Sequence, residues 1–234
     1  GMLMVGIPRY RLPREVIDRE VSMIEDLGVE ISYNTRFGVD VTFEELKKQG
    51  FDAFFIAVGA HKSWALDIKG EKEFPHVFDS ITFLRDVALG DHHAPGKRVV
   101  VVGGGNVAID AARTSLRLGA DKVIIAYRRS RNQMPADIEE VEQAEEEGIE
   151  FSFLTIPKEI IGKGKSISGL SCIKAELIKK EGSDRLAPVP ISGQDFIIEA
   201  DAVISAIGQY VDDQGLEAFD LMGWSRRGTI EVNH

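Results

Sequence analysis

RVVVVGGGNVAIDAARTSLRLGADKVIIAYRRS, residues 98–130, is the stretch that decides the fold. A valine-rich strand leads into a glycine turn, an amphipathic helix, a second turn and a second apolar strand, which is the order of a nucleotide-binding βαβ unit. Gly103, Gly105 and Ala108 form a G-x-G-x-x-A pattern at the turn. Gly103 permits a tight turn, Gly105 lets a pyrophosphate approach the backbone, and Ala108 lets the helix pack closely on the strand. The pattern predicts a dinucleotide site at the helix N-terminus, with a purely structural glycine turn as the alternative.

The end of the second strand carries Arg128 and Arg129, with Arg131 close behind, about twenty residues past the glycine turn. NAD-binding proteins place an acidic residue at this distance, where it binds the ribose 2′-hydroxyl. Guanidinium groups instead offer planar, bidentate donors to a 2′-phosphate. The sequence therefore predicts a preference for NADP(H). A solvated basic cluster, paired with the acidic helix that follows, is the alternative interpretation.

The segments that follow continue an α/β pattern. PADIEEVEQAEEEG (135–148) predicts an acidic helix with Ile138, Val141 and Ala144 facing inward. A strand is expected over IEFSFL (149–154). Further on, short β-like segments separated by Gly, Ser and Lys turns predict a small antiparallel ribbon within 158–200, and DAVISAIGQ (201–209) predicts a buried strand.

The residues before the βαβ unit alternate helix and strand signals. Helices are predicted over 15–28, 42–50 and 80–89, and strands over VEISYN (29–34) and FDAFFIAVGA (51–60). Thr42 and Glu45 have the spacing of a capping box at the start of the second helix. DHHAPGK (91–97) is a loop and the first candidate domain boundary.

Composition excludes several classes of protein. The 234 residues are 44% apolar and 28% charged, which argues against disorder. No apolar run approaches the ~20 residues of a membrane helix, and no secretory pattern opens the chain, so a cytoplasmic protein is expected. The net charge of −10 disfavours nucleic-acid binding. The single cysteine, Cys172, leaves no multi-cysteine metal site and is expected in the core rather than as a reactive thiol.

Two further groups of charged residues are expected on the surface. Asp110 and Arg113 lie three apart on the predicted helix and are interpreted as a weak exposed pair. The acidic run Glu139 to Glu147 is interpreted as a solvated helix face. Because its C-terminal glutamates oppose the helix dipole, contact with a partner is the alternative.

These motifs together resemble the small (β) subunit of glutamate synthase. The resemblance rests on GKRVVVVGGGNVAIDAAR, YRRS, MPA before the glutamate-rich helix, AIGQ, GIPRYRLPREVID, DVTFEEL and FIAVGAHKS. It covers the chain to about residue 210. More distantly, the GNVAxD helix pattern is similar to that of dihydropyrimidine dehydrogenase and adrenodoxin-reductase-like enzymes.

The resemblance implies an α/β flavoprotein in which a Rossmann-like NADPH-binding domain, with a parallel sheet and an antiparallel ribbon, is inserted into an FAD-type domain. By that likeness, 97–200 is the NADPH domain, while 1–96 and 201–234 belong to a partial FAD-type domain. Electrons would pass from NADPH to FAD and on to iron–sulfur clusters for glutamate synthesis, with a large glutamate synthase subunit as partner. The implied cofactor-binding residues are Gly103, Gly104, Gly105, Asn106 and Val107 at the turn, Arg128, Arg129 and Arg131 at the 2′-phosphate, and Ala206, Ile207 and Gly208 beside the nicotinamide.

The chain lacks three segments of this family. The glycine fingerprint for the FAD pyrophosphate and the N-terminal cysteine-rich cluster region would lie upstream of Gly1. The third is the later glycine–aspartate segment that touches the ribityl phosphate of the flavin, so the chain resembles a fragment cut from inside the family's sequence. We therefore expect that this chain does not hold FAD and is inactive alone. No catalytic side chain is predicted, because hydride transfer from a nicotinamide needs no side-chain acid. A non-catalytic NADP(H)-sensing module and a related flavoprotein with another electron acceptor are the alternative functions.

Overall fold

The computed structural model describes residues 1–179, 185–212, 223, 229 and 231. The described helices are α1 (Met2–Val5), α2 (Arg14–Asp26), α3 (Phe43–Lys48), α4 (Ser80–Ala88), α5 (Asn106–Arg117) and α6 (Ile138–Glu146). The described strands are β1 (Lys62–Ser63), β2 (Val77–Asp79), β3 (Arg98–Val102), β4 (Lys122–Tyr127), β5 (Glu150–Phe153), β6 (Thr155–Lys163), β7 (Ser166–Ile178), β8 (Ala187–Glu199), β9 (Ala202–Ser205) and β10 (Gln209–Tyr210).

A five-stranded parallel sheet in the order β2–β9–β3–β4–β5 forms the centre of the molecule. Side chains of a strand alternate between the two faces, and both faces of this sheet are covered. Val99 and Val101 of β3 belong to the core beneath α4, α5 and α6, whereas Val100 and Val102 belong to the core on the opposite face. The four-valine run is therefore a strand, as the sequence predicts, and it is buried on both sides.

The opposite face is covered by a three-stranded antiparallel sheet in the order β6–β7–β8. Ile160, Leu170 and Ile198 of this sheet pack on the valines of the parallel sheet. The predicted ribbon is thus confirmed, and the architecture has three layers: helices, parallel sheet and antiparallel sheet. Cys172 lies in the same core and is fully buried, and burial raises the pKa of its thiol to about 12.

Helix α5 packs Ala108, Ile109 and Ala112 into the core beneath the parallel sheet. Small side chains allow the helix axis to approach the sheet closely, which keeps the glycine turn rigid. In α6, Val141 and Ala144 are buried as predicted, but Ile138 is 71% exposed, so the prediction that it faces inward is wrong. Ile138 occupies the first position of the helix, where the chain has only just turned away from the core.

The prediction of a weak surface pair between Asp110 and Arg113 is also wrong, because both side chains are almost fully buried. Asp110 binds Arg11 instead, at 2.8 Å, and Arg11 also contacts Glu140 at 2.8 Å. Arg113 binds Glu147 at 2.7 Å. Burial raises the pKa of Asp110 to about 6, although the charge of Arg11 opposes the shift.

The acidic helix is a solvated face at Glu139, Glu142, Glu145 and Glu146, which are exposed as the sequence predicts. Glu140 and Glu147 are half-buried instead and belong to the same network. Glu147, just after α6, binds Arg117 at 2.6 Å as well as Arg113. These guanidinium groups hold the pKa of Glu147 at about 2, and they offset its unfavourable position at the helix C-terminus. The ring of Tyr10 lies against Arg117, 4.0 Å from the ring centroid to the guanidinium carbon. The network therefore fastens the N-terminal segment to the helical layer.

In the first ninety residues the helices agree with the sequence and the strands do not. Helices α2, α3 and α4 match the predicted segments, and α3 begins with the predicted capping box of Thr42 and Glu45. The predicted strands 29–34 and 51–60 are absent from this described part of the chain. Phe55, expected in a buried strand, is 93% exposed. An apolar pattern reports that side chains favour burial, but a strand also needs a neighbour with which to pair, and neither segment has one here.

The predicted division into 1–96, 97–200 and 201–234 stays a prediction. The parallel sheet itself extends beyond 97–200, since it takes β2 from the first segment and β9 from the last. Most of 213–234 lies outside the described residues. Strands β1 and β10 form a separate antiparallel pair, which joins the two flanking segments beside the C-terminal ends of the parallel strands.

Candidate functional site

The glycine turn between β3 and α5 gives each glycine a different environment. A Cβ at Gly103, where φ is +153°, would lie 2.3 Å from the carbonyl oxygen of Ala206, and one at Gly104 would lie 2.5 Å from the ring of Tyr127. At Gly105 the nearest atom is Cγ of Pro135, 3.9 Å away. Gly103 and Gly104 are therefore required by packing, whereas Gly105 leaves open space that a ligand could use.

That open space is part of a cavity of about 600 Å³ above the carboxyl ends of β3, β4 and β9. Ligands of open parallel sheets bind at this edge. Every site residue predicted from the sequence lines the cavity except Arg131. The predicted residues that line it are Gly103, Gly104, Gly105, Asn106, Val107, Arg128, Arg129, Ala206, Ile207 and Gly208.

The N-terminus of α5 opens onto this cavity. Gly105 is the N-cap residue, and no side chain caps the helix. The first N–H groups of an α-helix have no partner within the helix, so they and the helix dipole favour an anion at this point. Asn106 is otherwise engaged: its Oδ1 accepts a hydrogen bond from the backbone N–H of Asp137 at 2.8 Å. Asn106 thereby holds the start of α6 beside the turn.

The arginines after β4 have separate positions. Arg128 is exposed in the cavity, whereas Arg129 is buried and its Nε donates to the carbonyl oxygen of Leu186 at 3.1 Å. Arg131 lies outside the cavity lining and forms an ion pair with Glu145. Desolvation lowers the pKa of Arg128, and the positive charges of Arg129 and Arg185 lower it further. This edge of the cavity therefore concentrates positive charge.

The opposite end of the cavity is organised by Trp64. Its backbone N–H donates to the carbonyl oxygen of Gly208 at 3.0 Å, and its carbonyl accepts from the hydroxyl of Ser205 at 3.2 Å. The Trp64 ring lies 4.5 Å from the ring of Tyr210, measured between centroids. Gly208 has φ +132°, and a Cβ there would lie 3.3 Å from Cδ1 of Trp64. The indole thus holds the loop after β9 in place.

Several lining residues were not predicted from the sequence. They are Trp64, Leu66, Ser80, Val102, Ala126, Tyr127, Pro135, Thr155, Ile156, Pro157, Arg185 and Gln209. Arg185 lies 57 positions beyond Arg128, and nothing in a single sequence ties a loop arginine to a site that distant. Trp64 follows FIAVGAHKS, a segment that the sequence analysis assigned to the predicted FAD-type domain rather than to this site.

The described residues show neither a metal site nor a membrane span. No cluster of three or more His, Cys, Asp or Glu residues among them has the arrangement of a metal site. Among the helices described, none has the length and apolarity needed to cross a membrane.

Comparison with known proteins adds to this geometry. Residues 11–234 match the pyridine nucleotide-disulphide oxidoreductase family. Over 91% of the chain, the sequence is 45% identical to the NADPH-Fe(3+) oxidoreductase subunit beta of Geobacter sulfurreducens, of which it covers 32%. It is 44% identical, over its whole length, to the NADP(+)-dependent formate dehydrogenase subunit beta of Moorella thermoacetica, of which it covers 33%. The chain thus spans about a third of the length of these relatives.

The resemblance to the small subunit of glutamate synthase is confirmed. The whole chain is 35% identical to the glutamate synthase [NADPH] small chain of Azospirillum brasilense and covers 51% of it. Among solved structures, FprA from Mycobacterium tuberculosis in complex with NADPH superposes with a TM-score of 0.75 at 20% identity, over 92% of this chain and 64% of that chain. This likeness confirms the α/β fold.

Proposed function

Because the chain belongs to the pyridine nucleotide-disulphide oxidoreductase family, we propose that its cavity binds NADP(H) for hydride exchange with a flavin. The chain would then be the NADP(H)-binding part of a flavin-dependent oxidoreductase. Relatives named for NADPH or NADP(+) support the choice of nucleotide.

One observation carries the proposal: the cavity joins an anion-binding helix N-terminus to a cluster of guanidinium groups. The open face of Gly105 and the uncapped start of α5 fit a pyrophosphate. Arg128 and its neighbours, at the end of the adjacent strand, fit a 2′-phosphate. A cavity of about 600 Å³ falls within the range of small-molecule and cofactor sites.

The bound nicotinamide would supply the hydride, so the chain's own contribution is binding and orientation. The turn at Gly105 and the N-terminus of α5 fix the pyrophosphate and hence the direction of the cofactor. Ala206 and Gly208 present backbone at the far end of the cavity, where Trp64 holds the loop. Trp64 and Leu66 also line this end with apolar surface, which would shield a bound nicotinamide from water.

The residues of the chain fit FAD less well. The part of the chain that the structure describes contains one strand–glycine–helix unit of this type, and the position of Arg128 beside it favours a 2′-phosphate. No second turn of this kind occurs in 1–179 or 185–212. We therefore expect that this chain alone does not retain FAD.

Titration calorimetry of the chain with NADPH and with NADH tests the proposal. The wild-type chain should bind NADPH at least tenfold more tightly, and Arg128→Gln should remove about 1.5–3 kcal/mol of that binding, roughly tenfold or more, while NADH affinity stays unchanged. Arg85→Gln is the matched control, because Arg85 is exposed on α4 and pairs with its neighbour Asp86. If Arg128→Gln lowers the affinities for NADPH and NADH equally, Arg128 does not bind the 2′-phosphate.

The electron acceptor is a separate question, and two candidates have support. The likeness to glutamate synthase small chains supports transfer through iron–sulfur clusters to a large glutamate synthase subunit. The higher identity to subunits named for ferric iron and formate supports a related flavoprotein with another acceptor. A polypeptide carrying this chain with its flavin should reduce ferric citrate with NADPH under the second hypothesis. Under the first, electron transfer from NADPH should require a large glutamate synthase subunit.

The third candidate, a module that only senses NADP(H), makes a different prediction. In the same flavin-containing polypeptide, NADPH would bind without bleaching the visible absorbance of the flavin. Rapid bleaching under anaerobic conditions would exclude the sensing function.

A further inference from the structure

The antiparallel sheet does more than cover the core, because one end of it reaches the nucleotide cavity. The pairing of β7 with β8 extends as far as Ile178 opposite Ala187. Arg185 and Leu186 directly precede β8. Arg185 lines the cavity together with Arg128 and Arg129. A residue from a different layer of the fold therefore enters the cluster of guanidinium groups at the end of β4.

A hydrogen bond holds this part of the antiparallel sheet at the site. Nε of Arg129 donates to the carbonyl oxygen of Leu186, the residue next to Arg185, and the Arg129 side chain is 91% buried. A charged donor makes a stronger hydrogen bond to a carbonyl than a neutral donor does. Part of the donor capacity of Arg129 is thus used to position the backbone beside Arg185.

The charge of the cluster indicates what it binds. Arg128 and Arg185 are close enough that the charge of Arg185 lowers the pKa of Arg128. Arg128, Arg129 and Arg185 line the same cavity, so their combined positive charge favours an anion there. A phosphate dianion accepts hydrogen bonds from two guanidinium forks, so two converging arginines suit it better than one.

We propose that Arg185 is a specificity-determining residue for the 2′-phosphate of NADP(H) and that Arg129 positions it through Leu186. This inference rests on the proposed function of the cavity. In this arrangement Arg128 and Arg185 contact the phosphate from two sides, the end of β4 and the residues just before β8. Arg129 contributes its charge and holds the backbone at Leu186 in place.

The test measures dissociation constants for NADPH, NADH, 2′,5′-ADP and 5′-AMP with the full chain. Arg185→Gln should lower the affinities for NADPH and 2′,5′-ADP about tenfold, since one charge-assisted contact is lost. The affinities for NADH and 5′-AMP should stay within about twofold of the wild-type values. The NADPH affinity of Arg185→Lys should lie between those of the wild type and Arg185→Gln, because lysine keeps the charge but lacks the bidentate fork. Arg85→Gln serves as the control with an equal loss of charge. Arg185 is exposed, so thermal melting should confirm that each variant folds.

The outcomes separate this inference from the proposed function. If Arg128→Gln weakens NADPH and Arg185→Gln behaves as Arg85→Gln does, the role of Arg185 is wrong and the proposed function stands. If the wild-type chain binds NADPH and NADH equally, both are overturned.

A double-mutant cycle tests the positioning role of Arg129. If Arg129 acts through Arg185, Arg129→Gln should weaken NADPH binding less in the Arg185→Gln background than in the wild type. Losses that multiply independently would contradict the positioning role.

Discussion

Replacing Gly105 with valine should remove nucleotide binding and leave the fold intact. A Cβ at this position meets no atom closer than 3.9 Å, and the backbone is extended, with φ −95° and ψ 175°, where valine is well accommodated. Loss of a glycine N-cap costs roughly 1 kcal/mol, and the reduced freedom of the unfolded chain returns about 0.4–1 kcal/mol. The melting temperature should therefore change by no more than about 4 °C.

The effect on binding should be much larger. The valine methyl groups would occupy the open space beside the N-terminus of α5, where the pyrophosphate is proposed to lie. Losing two charge-assisted hydrogen bonds would cost about 3–6 kcal/mol, which is a decrease in affinity of more than ~100-fold. Titration calorimetry with NADPH measures this loss, and NADH should be affected equally because the pyrophosphate is common to both.

Gly104→Ala is the matched comparison one residue earlier. Its Cβ would lie 2.5 Å from the ring of Tyr127, so the core must shift, at a typical cost of ~1–3 kcal/mol. We expect this variant to melt at a clearly lower temperature than Gly105→Val. Retention of wild-type NADPH affinity by Gly105→Val would refute the assignment of the turn to the pyrophosphate. A large loss of stability in Gly105→Val would refute the argument from open space.

Three further predictions concern other parts of the chain. Glu147→Gln should lower the free energy of unfolding at neutral pH, because Arg117 and Arg113 hold the pKa of Glu147 at about 2, below its ordinary 4.5. Stability contributed by a carboxylate of depressed pKa is lost as pH falls, so the difference from wild type in urea unfolding should vanish between about pH 4.5 and 2; a constant difference would contradict it. Cys172 should not react with a thiol reagent at pH 8 until the protein is unfolded, since burial raises its pKa to about 12; rapid labelling of the folded chain would contradict that burial. The purified chain, incubated with FAD and desalted, should be colourless and should not transfer electrons from NADPH to artificial acceptors; stoichiometric bound flavin would overturn the expectation.

The nucleotide-binding unit could be predicted from the sequence because its determinants are local. The valine run, the glycine turn and the small residues of α5 lie within 33 consecutive positions, residues 98–130. Their periodicity and spacing predict both the strand–turn–helix–strand order and the point where a ligand can approach. The same locality explains why the capping box of Thr42 and Glu45 is found as expected.

The parts that could not be predicted depend on residues distant in sequence. Asp110 was expected to pair with Arg113 on its own helix, but its partner is Arg11, 99 positions away. Arg185 reaches the cavity because the antiparallel sheet packs on the parallel one. A single sequence does not predict how one sheet packs on another. The strands expected at 29–34 and 51–60 fail for a related reason: apolar patterning identifies side chains that favour burial, but it does not supply a pairing partner.

Phosphorus-31 NMR of NADP⁺ titrated with the chain tests the central claim most directly, because it observes the 2′-phosphate and the pyrophosphate separately. The account predicts that both resonances shift on binding. It also predicts that the pKa of the bound 2′-phosphate falls below its free value near ~6, since the neighbouring arginines favour the dianion. In Arg128→Gln that decrease should become smaller while the pyrophosphate shift remains. A pyrophosphate shift without any change at the 2′-phosphate, or no shift at either group, would contradict an NADP(H) site at the turn between β3 and α5.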